Sequence, residues 1–247
     1  MLDSLYAWMQ TDEFFNWSKY TGLEAILFAG GCWMWVIVYG FIIHDIRKYK
    51  TIEMPTFVAA GNFAWEANFS WFFPSDMGHL AQGAYQAWFF LDVYIWWNLL
   101  KLGSVDCQTP WLKERYKPYV VILTIICFGA MYTFCASGLE TPIGAYTAYT
   151  LNCAISIQYF VNYMRLGRNG QVLYSMNAAW LKMIGTAMNT GFMAIHFHGN
   201  TYLLFIGAVI FVFDLVYAII MTRDRIKGIA PTPKQFGAMH GIAQARA

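Results

Sequence analysis

The chain has 247 residues, of which 58% are hydrophobic and only 12% charged, with a formal net charge of +2. Charged residues at about half the usage of a soluble domain exclude an ordinary water-soluble globule and assign the chain to a membrane. The cationic residues stand at the edges of apolar stretches rather than in one run, which argues against a nucleic-acid partner.

The first 21 residues include Asp12 and Glu13 and have no apolar core, so no cleavable signal peptide is expected. Windows of about 20 apolar residues then predict seven helices, over 22–43, 54–73, 83–102, 118–137, 141–163, 173–195 and 202–221. They use most of the chain and leave no room for a separate soluble domain. The expected fold class is therefore all-α: a polytopic seven-transmembrane-helix bundle over 1–230, with a Gly/Ala/Pro-containing tail over 231–247 expected to be disordered. Connections are short, and the prediction is that sequential helices pack as antiparallel neighbours.

Lys and Arg concentrate on the cytoplasmic side of short loops. Going along the chain, the segments between spans hold Lys19 alone, then Arg47, Lys48 and Lys50, then none, then Lys101 to Lys117, then none, then Arg165 and Arg168, then none, then Arg223 onward. Every second segment is basic, which places the amino terminus outside or lumenal and the carboxyl terminus in the cytosol. Cys32, Cys127, Cys135 and Cys153 fall within spans and Cys107 in a loop, without C-x-x-C spacing, so neither a disulfide framework nor a zinc site is indicated.

Ionisable groups inside spans are functional candidates by default. Glu66 stands in the middle of the second span, and loss of water penalises the charged form of a carboxyl, so a proton-bearing Glu66 is expected. Asn62, Glu66 and Ser70 recur every four residues and share one face, with Phe69 and Phe73 beside them. Lipid would leave this stripe unsatisfied, so it should point into the bundle. Asp214 lies in the last span at a depth similar to that counted for Glu66, with Tyr217 one turn on, and the two carboxyls are expected to face one cavity. Asp92 in the third span is flanked on its own face by Trp88 and Trp96. Apart from Lys101 at the end of the third span, Lys182 is the only cation within a span, and its plain role is to neutralise Asp92 or Asp214. Many aromatic residues belong to interfacial belts. Trp65, Phe69, Trp88 and Trp96, however, lie beside buried carboxyls, where ring faces stabilise cations. His196 and His198 lack the further ligands a metal needs and read as ordinary loop histidines. Glu24 is expected to cap or snorkel at the outer end of the first span.

The run Gly61-Asn62-Phe63-Ala64-Trp65-Glu66, with Asp214 in a seventh helix, resembles the integral-membrane terpene cyclases of fungal meroterpenoid and indole-diterpene pathways, which have bacterial relatives. The resemblance covers the seven-helix body, and Asn-x-x-Trp-Glu is its most specific element. It implies that Glu66 and Asp214 are an acidic pair that protonates a terminal epoxide or alkene of a prenyl chain and starts polycyclisation. No metal or other cofactor is implied, in keeping with a chain that has neither an Asp-Asp-x-x-Asp nor an Asp-x-Asp-Asp run. The expected function is thus a terpene cyclase acting on a lipophilic prenylated substrate delivered by membrane lipid, with Glu66 and Asp214 catalytic and Asn62, Trp65, Phe69, Trp88, Asp92 and Tyr217 binding substrate. A proton-coupled transporter or channel using Glu66, Asp92, Lys182 and Asp214 as a relay is the alternative. Lys182 and the tail match no feature of the family.

Overall fold

The computed structural model describes residues 13–242, and among these all regular structure is helical. Seven long helices follow in order: α1 Gly22–Tyr49, α2 Thr56–Trp71, α3 His79–Leu102, α4 Tyr116–Ala136, α5 Ala145–Asn162, α6 Met176–His196 and α7 Thr201–Ile226. By length and composition α1, α4 and α7 are each apolar and long enough to cross a bilayer.

The expected spans fall on these seven helices with displaced ends, because apolarity stops where polar residues begin while the backbone ladder continues. α1 runs past 43 to Tyr49, carrying Arg47 and Lys48 in its last turn, where cations suit the helix dipole. α7 likewise continues from 221 to Ile226 with Arg223 and Arg225. α5 begins only at Ala145 and passes into a π-helical turn over Tyr163–Gly167. At its start α1 has a capping box: Thr21 accepts from the Glu24 amide, and the Thr21 amide donates back to Glu24 at 2.6 Å. The capping role expected of Glu24 is thus observed.

Part of the tail expected to be disordered is ordered. A short helix over Pro233–Met239 is held by a Thr232/Gln235 capping box, and Phe236 is buried against the Tyr49 ring. The Gly/Ala/Pro composition concealed that one aromatic anchor and one cap suffice for two turns. Residues 1–12 and 243–247 lie outside the described residues, as do Asp12 and the outermost parts of the expected domain.

Sequential packing holds only in part. The most extensive pairing joins α1 to α6, followed by α6 with α7, α2 with α3, α2 with α4 and α5 with α7. Along the α1/α6 seam Glu24 meets His196, and a side chain added at Gly31 or Gly185 would strike the facing helix, so the two run antiparallel. Short loops fix the directions of successive helices, but closeness of approach selects the partners. A Cβ at Gly31 would lie 2.7 Å from the Gly185 carbonyl oxygen, and one at Gly185 would lie 2.9 Å from that of Gly31. Small residues let apolar helices come this near. α2, the shortest of the seven at 16 residues, is the centre of the bundle, with buried side chains on every face.

A Gly31→Val substitution should therefore force α1 and α6 apart and lower stability by about 1–3 kcal/mol, read as a drop in Tm of the detergent-purified protein. An unchanged Tm would show that this seam tolerates added volume.

Candidate active site

Glu66 and Asn62, one turn apart on α2, both line a cavity of about 140 Å³ inside the bundle. Its other walls come from α1 (Cys32, Trp35 and Tyr39), α3 (Tyr85 and Trp88), α5 (Asn152) and α6 (Asn189). Glu66 is 7% exposed, and its carboxyl makes no hydrogen bond to any described residue. Trp88 Nε1, Asn152 Oδ1 and Asn189 Oδ1 are likewise buried without a partner. Buried polar atoms are nearly always satisfied, so four such groups around one space mark a place built to receive something else.

The walls are aromatic. Trp65 stacks on Phe69 with centroids 4.5 Å apart, meets Tyr85 edge-on, and is fixed by an Nε1 donation to Thr147 Oγ1 at 3.0 Å. Gly144, at φ +75°, allows this stack to sit tight against the start of α5, since a Cβ there would lie 2.6 Å from the Phe69 ring. Phe69 itself supports Trp65 from behind and does not line the cavity.

Asp92 sits behind the wall. Tyr39 donates to Asp92 Oδ2 at 3.2 Å and accepts from Asn62 Nδ2 at 3.1 Å. The chain Asp92–Tyr39–Asn62 thus ends one helical turn from Glu66. Asp214 belongs to a different cluster. Lys182 Nζ donates to both of its oxygens at 2.6 Å and to Ser156 Oγ at 2.7 Å. The ammonium also lies 5.4 Å from the centre of the Trp35 ring, which lines the cavity. Neither Asp214 nor Tyr217 lines the cavity; Tyr217 is packed among Tyr159 and Tyr163.

The neutralising role expected for Lys182 is therefore met, with Asp214 as partner. Glu66 stands five residues from the end of α2 and Asp214 thirteen from the start of α7, about 8 Å and about 20 Å by helical rise. The four charged candidates form two groups rather than one relay.

Three findings were not read from the sequence. Phe28, Cys32, Trp35 and Tyr39 line the cavity at helical spacing on α1, a stripe hidden because that helix is apolar all round. Glu53, in the loop after α1, is 3% exposed and accepts from the Ser175 amide at 2.7 Å. His196 is no lone loop residue: it ends α6, stacks on Tyr20 at 4.5 Å, and its Nδ1 is 2.9 Å from Glu24 Oε1. Its partner is remote in sequence, which is why the loop reading failed.

Burial pushes Glu53 from an ordinary 4.5 up to about 8, with Asp45 adding to the rise and the Ser175 amide opposing it. A raised carboxyl keeps its proton in the folded state where the unfolded chain has lost it. Folded stability should then fall as pH rises from about 4.5 through about 8, and Glu53→Gln should flatten that slope. Melting curves between pH 5 and 9 test it; parallel curves would leave Glu53 without a titrating role.

Lys182→Met should leave Asp214 buried and unpaired at a cost of about 3–5 kcal/mol, whereas Lys182→Met with Asp214→Leu should recover most of it. A single variant as stable as the parent would remove the structural role of the pair.

The model of the Pyr4-like transmembrane terpene cyclases matches residues 10–225. Terpene cyclase ascF of Acremonium egyptiacum is 28% identical over 112 residues, which are 45% of this chain and 40% of that protein. No solved structure matches. A family match over most of the chain, on an all-helical bundle with apolar helices, makes this an integral membrane protein that belongs to the Pyr4-like transmembrane terpene cyclases.

Proposed function

We propose that the protein is a terpene cyclase in which Glu66 is the general acid that initiates carbocation cyclisation of a prenylated substrate. The observation that carries this reading is the Glu66 carboxyl itself, on an aromatic-walled cavity and hydrogen-bonded to no described residue. A carboxylic acid held in this way is the donor that acid-initiated chemistry needs.

In the proposed step Glu66 gives its proton to the oxygen of a terminal epoxide, the carbon–oxygen bond opens, and the tertiary cation is attacked by the next alkene of the chain. With a terminal alkene the proton goes to carbon and the same sequence follows. Loss of a proton from the last cation leaves a product isomeric with the substrate. The faces of Trp65, Trp88 and Trp35 stabilise the intermediate cations. Tyr39, hydrogen-bonded to Asp92 and lining the cavity, is the route by which Glu66 regains a proton. The bidentate contact with Lys182 supports a holding role for Asp214, the second acid implied by the resemblance, since it ties α7 to α6.

The space is close to the ~150 Å³ that holds a benzene ring. The terminal isoprene unit therefore enters first, and a longer chain requires the walls to move. We further infer that all seven helices cross the bilayer. α2 at 16 residues is too short for the hydrocarbon core alone, but it is sheathed by its neighbours. The basic residues Arg47, Lys113, Arg165 and Arg223 gather at one end of the bundle, supporting a cytosolic carboxyl terminus.

The test is turnover of prenylated indoles and aromatics, with and without terminal epoxides, followed as isomeric products of equal mass. Glu66→Gln should lose roughly 100-fold or more while keeping the parent Tm, and Tyr39→Phe should slow turnover without weakening substrate binding. Full activity in Glu66→Gln would remove the proposed acid.

A further inference from the structure

Of the five cysteines, Cys32 alone lines the cavity at Glu66. It is a free thiol, one turn from both Phe28 and Trp35 on the face of α1 that closes this space. Cys32 also lies within electrostatic reach of the Glu66 carboxyl. A cavity of about 140 Å³ holds little more than one benzene-sized group, so an occupant that takes the proton of Glu66 is also in contact with the thiol. An acid that makes a carbocation and a sulfur that can capture one therefore share a single small space.

The other nucleophilic atoms on the wall are less able to keep an electrophile. Tyr39 is bonded to Asp92, Tyr85 donates to the Ile143 carbonyl at 3.4 Å, and Tyr149 shares a hydrogen bond with Thr190 at 3.2 Å. The Met193 thioether faces the same space, but once alkylated it has no proton to lose and stays a charged sulfonium. The Glu66 carboxylate would form a tertiary ester, which ionises back to the pair it came from. Cysteine sulfur is intrinsically a strong nucleophile, and toward a carbocation the lone pair of a neutral thiol suffices. Its product is a neutral thioether, which stays.

We propose that Cys32 is a covalent modification site for lipophilic epoxides that open to a tertiary cation but carry no second alkene with which to cyclise. The inference rests on Glu66 being the initiating acid. Glu66 gives its proton to the epoxide oxygen, and the bond from that oxygen to the tertiary carbon breaks. The Cys32 sulfur forms the new bond to that carbon, and the S–H proton passes to the Glu66 carboxylate. The acid is restored, nothing is oxidised or reduced, and the hydroxyl-bearing thioether has the mass of protein plus epoxide. A chain with a second alkene escapes capture, because that alkene is tethered to the cation and already in position to attack it.

The test incubates the full detergent-purified chain with a saturated alkyl chain ending in a gem-dimethyl epoxide, followed by intact mass and peptide mapping. The parent should gain a single probe, on Cys32, joined through the dimethyl carbon. Glu66→Gln should form this adduct about 100-fold or more slowly at the parental Tm, and Cys32→Ala should not form it. Labelling of another cysteine in place of Cys32 would overturn the assignment. So would attachment through the less substituted carbon, or an equal rate in Glu66→Gln, since either marks ordinary thiolate alkylation. Absence of any adduct would overturn it as well, and the fate of the probe would then judge Glu66 separately. Isomerisation of the probe to a ketone or allylic alcohol, lost in Glu66→Gln, would leave the acid in place; a probe left intact would remove the acid too.

Discussion

The bundle depends on the burial of α2. Its 16 residues are too few to cross a bilayer unaided and too polar to face lipid, so three other helices must pack around it. Ala59, Ala60, Gly61 and Ala64 make that approach possible; at Gly61 a Cβ would lie 2.6 Å from Leu151 of α5. Close approach in turn brings several polar groups of α2 to partners from its own turn or from the packed helices. Asn68 donates to the Ala64 carbonyl at 2.9 Å, and the Ser70 carbonyl accepts from Gln82 at 2.6 Å. The Asn68 Oδ1, Ser70 Oγ and Glu66 carboxyl oxygens lack a partner, and of these three residues Glu66 alone lines the space that α1, α2, α3, α5 and α6 leave between them.

The charges inside the bundle are handled in two ways, and the contrast separates structure from chemistry. Lys182 and Asp214 satisfy one another completely with Ser156, on α6, α7 and α5, and neither Lys182 nor Asp214 lines the cavity at Glu66. Removing either group from such a buried pair is strongly destabilising, so loss of activity in an Asp214 variant says little about proton transfer unless stability is measured with it. Asp92 is reached only through Tyr39, which places a phenol rather than a second carboxyl at the cavity surface. A hydroxyl that both donates and accepts can pass a proton along without itself holding a charge in a dry site.

Much of the fold was legible in the sequence, because runs of apolar residues separated by alternating basic segments leave few other readings. Glu66, Asn62, Trp65 and Trp88 were legible for the same reason: a carboxyl, an amide and indoles at helical spacing in an apolar window are costly there. What could not be read was adjacency. Depth counted along the expected spans placed Asp214 near Glu66, yet on the observed helices Asp214 lies about 20 Å from the outer end against about 8 Å for Glu66, and Lys182 of α6 meets it there. The seam of Gly31 against Gly185, which makes α1 the neighbour of α6, brings Tyr39 and Cys32 to the cavity, and no local pattern in α1 announces it. Glu53 was hidden too, since a glutamate in a loop beside basic residues ordinarily stays in water.

Four unpartnered groups around one cavity also carry a thermodynamic consequence. Each buried polar atom without a partner costs about 1–3 kcal/mol, and Glu66, Trp88, Asn152 and Asn189 bear that cost together. Other demanding groups of the bundle are paired and offset part of it: Lys182 with Asp214, and Trp65 with Thr147. A ligand that offers an oxygen to Glu66 and Trp88 would relieve the cost on binding. Relief at Glu66 is greatest as its proton moves to that oxygen and negative charge appears beside a developing cation. The cation is then held between a carboxylate and ring faces, an arrangement that favours the charged intermediate over the neutral substrate, which is the differential binding that catalysis requires.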